Sequence, residues 1–175
     1  MGYENRQDIP VKYTWDLSAI YPDEALLEKD CATASELIGK IKAYEGRLNN
    51  EKDIYELLKL VGDIDEHLEK ALCYTHMKMD EDSKNTDVQA LKDKVMSINN
   101  KFGVAFSFVQ PELSKLDEKT LDAIMAKPEF KKYNSVLRKI KAGKAHVLSA
   151  EAEELLTNAG EVTGYFRETF GRLDN

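Results

Sequence analysis

The chain has 175 residues, of which 42% are hydrophobic and 33% are charged, and its formal net charge is −7. This length allows one domain with its own core, and this composition is typical of a soluble helical protein. The negative charge argues against general nucleic-acid binding, and the apolar runs are too short to span a membrane. The N-terminus has no apolar signal-peptide core, so we expect a cytoplasmic protein.

Residues 127–144 depart from this acidic balance, because they contain seven basic side chains and one acidic side chain, Glu129. A helix with its basic face in solvent is one interpretation. A basic face that docks on an acidic partner or on a neighbouring acidic domain is the other. The sequence leaves both open.

Residues 1–22 are expected to be extended or irregular and to end in an aromatic stretch between Pro10 and Pro22. Trp15, the only tryptophan, lies there together with Tyr13 and Tyr21. We predict that these rings anchor the segment on the helices. An exposed aromatic strip that binds a ligand is the alternative.

Residues 23–110 are predicted to form three long helices. The first begins after an N-cap residue, Asp23, and Gly46 suits its C-terminal cap. Its apolar stripe steps by three and four residues and consists of Leu27, Cys31, Ala34, Ile38 and Ile41.

The other two long helices are the centre of the predicted fold, a long antiparallel helical hairpin between Glu51 and Val109. The stripe of its first arm is Ile54, Leu57, Val61, Ile64, Leu68, Ala71 and Thr75. The stripe of its second arm is Val88, Leu91, Val95, Ile98, Phe102, Ala105 and Val109. Thr86 and Gln89 fit a capping box at the start of the second arm, and Pro111 is expected to end it.

Residues 111–175 are predicted to form shorter helices. Asp117 is expected to cap the first, residues 129–142 form the second, and Ser149 caps the last. The stripe of the last helix is Leu155, Ala159, Val162, Phe166 and Phe170, and Leu173 continues it. Because no strand pattern of any weight occurs, the predicted fold class is all-α, with residues 1–175 forming one up-and-down helical bundle.

Histidine and cysteine positions give no catalytic or metal site. His67 and His76 lie about 900° apart around one predicted helix and so face opposite sides, and His146 has no second histidine or cysteine nearby. No H-E-x-x-H motif occurs. Cys31 and Cys73 are predicted to be buried thiols. We therefore predict no catalytic, cofactor-binding or metal-binding residue.

Three blocks of the sequence carry a resemblance. The first is Tyr13-x-Trp15-Asp16-Leu17-Ser18-x-Ile20-Tyr21. The second is Tyr74-x-His76-Met77-Lys78-x-Asp80-Glu81-Asp82, followed by Gln89-Ala90-Leu91. The third comprises Pro111-Glu112-Leu113, Tyr133-x-x-x-Leu137-Arg138-x-Ile140 and His146-x-Leu148-Ser149-x-Glu151-x-Glu153-x-Leu155-Leu156. In this order, and over nearly the whole chain, the blocks resemble the N-terminal helical domain of the oligoendopeptidase F family.

This resemblance implies the non-catalytic N-terminal lobe of a zinc metallopeptidase that hydrolyses oligopeptides. In that family an H-E-x-x-H helix and a downstream glutamate bind the zinc in a C-terminal catalytic domain, and the lobe forms one wall of the peptide channel. No catalytic or zinc residue maps onto this sequence, and His76 and His146 have no role to carry over. The zinc and the catalytic domain are therefore expected beyond Asn175.

The alternative function is a free-standing helical interaction module of the same ancestry, without a peptidase domain. An H-E-x-x-H motif in the gene past Asn175 would favour the lobe, and a stop codon there would favour the module. In a lobe, the final helix with Phe166, Phe170 and Leu173 is expected to dock on the catalytic domain or to self-associate. The other interpretation is that these side chains complete the bundle core.

Overall fold

The computed structural model describes residues 8–173, without the side chains of Ala145, Glu161, residues 164–168 and residues 170–173. The α-helices are α1 (Glu24–Ile41), α2 (Glu51–Glu81), α3 (Thr86–Phe106), α4 (Val109–Leu113), α5 (Glu118–Met125), α6 (Asn134–Gly143) and α7 (Ala150–Leu173). Short 3-10 helices lie at Val11–Tyr13, Leu17–Ala19, Lys42–Tyr44, Pro128–Tyr133 and Lys144–His146. No strand occurs within residues 8–173, and the all-α class is confirmed. None of the helices described combines the length and the apolarity needed to cross a membrane.

Helices α1, α2 and α3 pack on one another and form the centre of the bundle. Glu24 at the start of α1 pairs with Lys78 near the end of α2, so these two helices run in opposite directions. Glu28 pairs with Lys94 in the first half of α3. The C-terminal ends of α1 and α3 line one cleft, so α1 and α3 run in the same direction, and α2 runs opposite to both.

The stripes predicted for α1 and α2 face the core. All five stripe residues of α1 are buried, and on α2 only Val61 is half-buried rather than buried. On α3, Val95 and Ile98 are buried, whereas Phe102 is only half-buried and stacks at 5.8 Å on Phe106. The sequence pattern therefore overstates how deeply the second arm is buried.

Helix starts follow the expected chemistry at three positions and differ at one. Asp23 accepts from the backbone of Leu26, Asp117 from Thr120, and the Ser149 hydroxyl from Ala152. The predicted capping box at Thr86 is wrong. Asn85 is the N-cap of α3, because its side-chain oxygen accepts from the amides of Asp87 and Val88 at 3.0 and 3.2 Å.

The end of the second arm also differs from the prediction. Helix α3 ends at Phe106, and Pro111 lies inside the following short helix α4. Proline is tolerated there because amides in the first turn of a helix have no intrahelical acceptor. In the same way, Pro128 opens a 3-10 helix, so the helix predicted over residues 129–142 is divided and α6 begins only at Asn134.

Helices α5 and α6 and the 3-10 helix between them pack on one another and form a second layer, whose buried side chains join the core of the bundle. The predicted stripe of this region is buried, and it consists of Phe130, Tyr133, Leu137 and Ile140. The ring of Tyr55 on α2 meets the rings of Phe130 and Tyr133 edge to face at 5.5 and 6.2 Å. Glu112 on α4 accepts from the amide of Gly46, which has a φ of 77° and follows the end of α1.

Candidate functional site

Helix α7 packs along α3 through small and half-buried side chains. Thr157 lies close to α3, because a Cβ atom placed on Gly103 would lie only 3.1 Å from its Cγ2 atom. A glycine at position 103 therefore lets the two helices approach closely at this point.

The other side of α7 carries large apolar side chains that the described residues do not cover. Leu155 is 70% exposed, Leu156 is 57% exposed and Val162 is 66% exposed. Together with the exposed Ala159, these residues are called the outer face of α7. Leu155, Ala159 and Val162 belong to the apolar stripe predicted for this helix, and they do not lie in the bundle core, because α7 contacts α3 with its other side.

Phe166, Phe170 and Leu173 belong to the same predicted stripe, but their side chains lie outside the described residues.

Part of the N-terminal segment is buried against the helices, and the rest is exposed. Leu17 and Tyr21 are buried on the helices, as the anchor prediction requires. Trp15 is 52% exposed, and Val11 and Tyr13 are exposed as well. For Tyr13 and Trp15 the anchor prediction is wrong, and the alternative of an exposed aromatic strip describes their positions.

A polar cluster holds Tyr21 in place. Its hydroxyl donates to the Asp30 carboxylate at 2.6 Å, and His67 Nδ1 lies 2.9 Å from the other carboxylate oxygen. Lys70 Nζ is 3.8 Å from Asp30 and 4.2 Å from the centre of the Tyr21 ring. Sequence reasoning missed this cluster, because its members belong to three different elements.

Burial and hydrogen bonding oppose each other at Asp30. Burial acts to raise the pKa of its carboxyl group, but the hydrogen bonds from Tyr21 and His67 and the charges of His67 and Lys70 outweigh it. The pKa of Asp30 therefore lies below its usual value. Burial, followed by the nearby carboxylate, raises the pKa of Tyr21 well above that of a free tyrosine.

The other histidines and the cysteines, which could take part in catalysis or metal binding, lie apart from one another. His76 Nδ1 is 2.7 Å from the Leu72 carbonyl, and His146 is exposed. Cys31 is buried as predicted, but the same prediction is wrong for Cys73, which is exposed and lies beside the α2 stripe rather than on it. Burial raises the pKa of the Cys31 thiol, which lowers its reactivity.

The donor set of the described residues does not fit a zinc ion. Within them, no three His, Cys, Asp or Glu side chains are grouped in a way that could hold a metal. Among the residues that the structure describes, His67 has one carboxylate partner, Asp30, which already accepts from the Tyr21 hydroxyl.

A cleft of about 560 Å³ lies between the ends of α1 and α3 and the start of α7. Ile38, Val104 and Phe108 line it with apolar surface, and Lys42 and Glu154 contribute opposite charges. This lining combines both signs of charge with apolar groups, so it favours no single class of ligand.

Part of the basic segment is paired inside the chain. Lys127 pairs with Glu51, and Lys141 pairs with Asp122 at 2.8 Å. The first pair connects the second layer of helices to α2, and the second pair connects α6 to α5 within that layer. They agree better with a solvated helix face than with a docking surface for an acidic partner.

Comparison with known proteins identifies the family. A sequence profile described as Oligopeptidase F matches residues 112–175. Group B oligopeptidase PepB of Streptococcus agalactiae is 34% identical over 174 residues, which are 98% of this chain and 29% of that protein. The chain belongs to the oligoendopeptidase F family. The resemblance seen in the sequence blocks is thereby confirmed.

The match extends over nearly the whole chain in other family members. Oligopeptidase PepF of Bacillus subtilis is 32% identical over 173 residues, covering 98% of this chain and 26% of that protein. The crystal structure of oligoendopeptidase-F from Enterococcus faecium superposes with a TM-score of 0.79 at 28% identity, covering 87% of this chain and 30% of that one. This chain is therefore the N-terminal domain of an oligoendopeptidase F-like protein, and it spans less than a third of the length of these relatives.

Proposed function

We propose that this domain is the non-catalytic N-terminal lobe of a zinc metallopeptidase that hydrolyses oligopeptides, and that it forms one wall of the peptide channel. The observation that carries the proposal is the match of 98% of this chain to oligopeptidases in which it spans 29% or less of the length. The rest of such a polypeptide then has to supply the zinc ligands and the catalytic groups.

The zinc belongs to the downstream part in this proposal, because the described residues offer no donor set that fits it. The lobe contributes shape and support to the channel, with its own downstream catalytic domain as partner and oligopeptides as substrates. A cytoplasmic location is part of the proposal. Self-association through α7 is a second arrangement that its exposed outer face allows.

Reading the gene past Asn175 and assaying both products tests the proposal. We expect an H-E-x-x-H motif downstream, and about one zinc ion per complete polypeptide by metal analysis. The complete polypeptide should cleave a short fluorogenic peptide, and residues 1–175 alone should neither retain zinc nor cleave the peptide. Tightly held zinc on residues 1–175 would contradict the proposal, and a stop codon after Asn175 would favour the free-standing interaction module.

A further inference from the structure

We infer that the outer face of α7, formed by Leu155, Leu156, Ala159 and Val162, is the surface on which the downstream part of the same polypeptide packs. The inference rests on the proposed function and adds the place of contact between the lobe and its partner domain.

Leu155 and Val162 lie on the side of α7 opposite to Thr157. Thr157 faces α3, and Leu155 lies about 200° from it around the helix axis, since each residue turns the helix by about 100°. Val162 follows Leu155 by seven residues, which is close to two full turns and returns to the same side. The outer face therefore points away from the bundle, in agreement with its exposure.

The side chains on the two sides of α7 differ in size and polarity. A helix at the surface of an isolated domain normally turns its large apolar side chains inward and its polar side chains outward. Helix α7 does the reverse, because Thr157 meets Gly103 on the inside while Leu155 and Val162 face outward. This arrangement suits a helix that is packed on both sides.

The position of α7 in the chain decides which partner covers the outer face. It is the last helix that the structure describes, and the relatives are more than three times as long as the segment that matches this chain. In the proposed function the downstream domain is joined to the lobe on the C-terminal side of α7, and such tethering raises its effective concentration to about the millimolar range.

A second copy of this chain has no such advantage. A stable free dimer buries roughly 800 Å² on each partner, which exceeds what the four aliphatic side chains of the outer face provide. A tethered domain can use a smaller surface, because its association is intramolecular. The outer face therefore fits the downstream domain better than a second chain.

Thiol labelling tests the inference in the complete polypeptide. Leu155→Cys is introduced into a Cys73→Ser background, which leaves Cys31 as the buried native thiol among the described residues. Leu26→Cys is the matched control, because Leu26 is a leucine that is 42% exposed and lies on a different helix, α1. Both variants are made in residues 1–175 and in the complete polypeptide, and maleimide labelling rates are compared after circular dichroism has confirmed folding.

We expect the thiol at position 155 to react at least about tenfold more slowly in the complete polypeptide than in residues 1–175, because labelling then requires the interface to open. The rate at position 26 should be the same in both. Equal rates at position 155 in a complete polypeptide that binds zinc and cleaves peptides would overturn this inference and leave the proposed function standing. Protection at position 155 that rises with the concentration of residues 1–175 would assign the face to a second copy instead. A gene that ends at Asn175 would overturn both proposals.

Discussion

The hydrogen bond between Tyr21 and Asp30 should contribute measurably to the stability of the domain. Tyr21→Phe keeps the buried ring and removes the hydroxyl that donates to the Asp30 carboxylate at 2.6 Å. A hydrogen bond to a charged group contributes about 1.5–3 kcal/mol. Because His67 and Lys70 still contact the carboxylate, we expect the lower end of this range, about 1.5 kcal/mol, in chemical denaturation at neutral pH.

The cost of Tyr21→Phe should also depend on pH. The pKa of Asp30 in the folded protein lies below the value of about 3.9 expected for an unfolded chain. The ionised carboxylate therefore stabilises the fold at pH values above the unfolded pKa, and this stabilisation is lost as the pH falls through the folded pKa. Since Tyr21→Phe removes part of it, the difference in unfolding free energy between wild type and variant should shrink from neutral pH to about pH 3.

Tyr13→Phe is the matched control, because Tyr13 lies in the same N-terminal segment and is exposed. It should change the unfolding free energy by less than about 0.5 kcal/mol at either pH. A cost of Tyr21→Phe that is the same at both pH values, or an equal cost for the control, would refute the assignment of this stability to the bond between Tyr21 and Asp30.

Three further predictions follow from burial and capping. Phe130→Ala should lower the unfolding free energy by about 3–5 kcal/mol, and the half-buried Phe102→Ala by only about 1–2 kcal/mol, in urea titrations; comparable costs would contradict the burial of the two rings. Asn85→Ala should cost about 1 kcal/mol and Thr86→Ala less than about 0.5 kcal/mol, and the reverse order would restore the capping box. The fluorescence of Trp15 in residues 1–175 should be readily quenched by acrylamide and should shift little on unfolding, whereas a large red shift would show a buried ring.

Local patterns in the sequence were sufficient to predict which sides of α1 and α2 are buried. Their stripes lie opposite each other inside the same three-helix centre, so a periodic apolar face has its partner within the chain. The caps at Asp23 and Asp117 were predictable for the same reason, because a cap is satisfied by amides three residues away. Asn85 and Thr86 are adjacent and either could cap the start of α3, and the sequence pattern predicted the wrong one.

Contacts between distant parts of the chain were not predictable from one sequence. Asp30 and His67 are 37 residues apart, and no spacing rule connects them with Tyr21. The exposure of Cys73 was missed for a related reason. A residue beside an apolar stripe can lie on either side of the burial boundary, and the neighbouring helix decides which.

The outer face of α7 shows what a periodic stripe establishes and what it leaves open. Steps of three and four residues indicate that one side of a helix is apolar, but they do not say which part of the polypeptide covers it. For α1 and α2 the cover lies within the described residues, whereas Leu155 and Val162 remain exposed there. The close approach of Thr157 to Gly103 supplies the missing information, because it uses the opposite side of α7 for packing within the domain. A helix with a small face inward and a large apolar face outward is suited to lie between two layers, which agrees with the proposed packing of a downstream domain on α7.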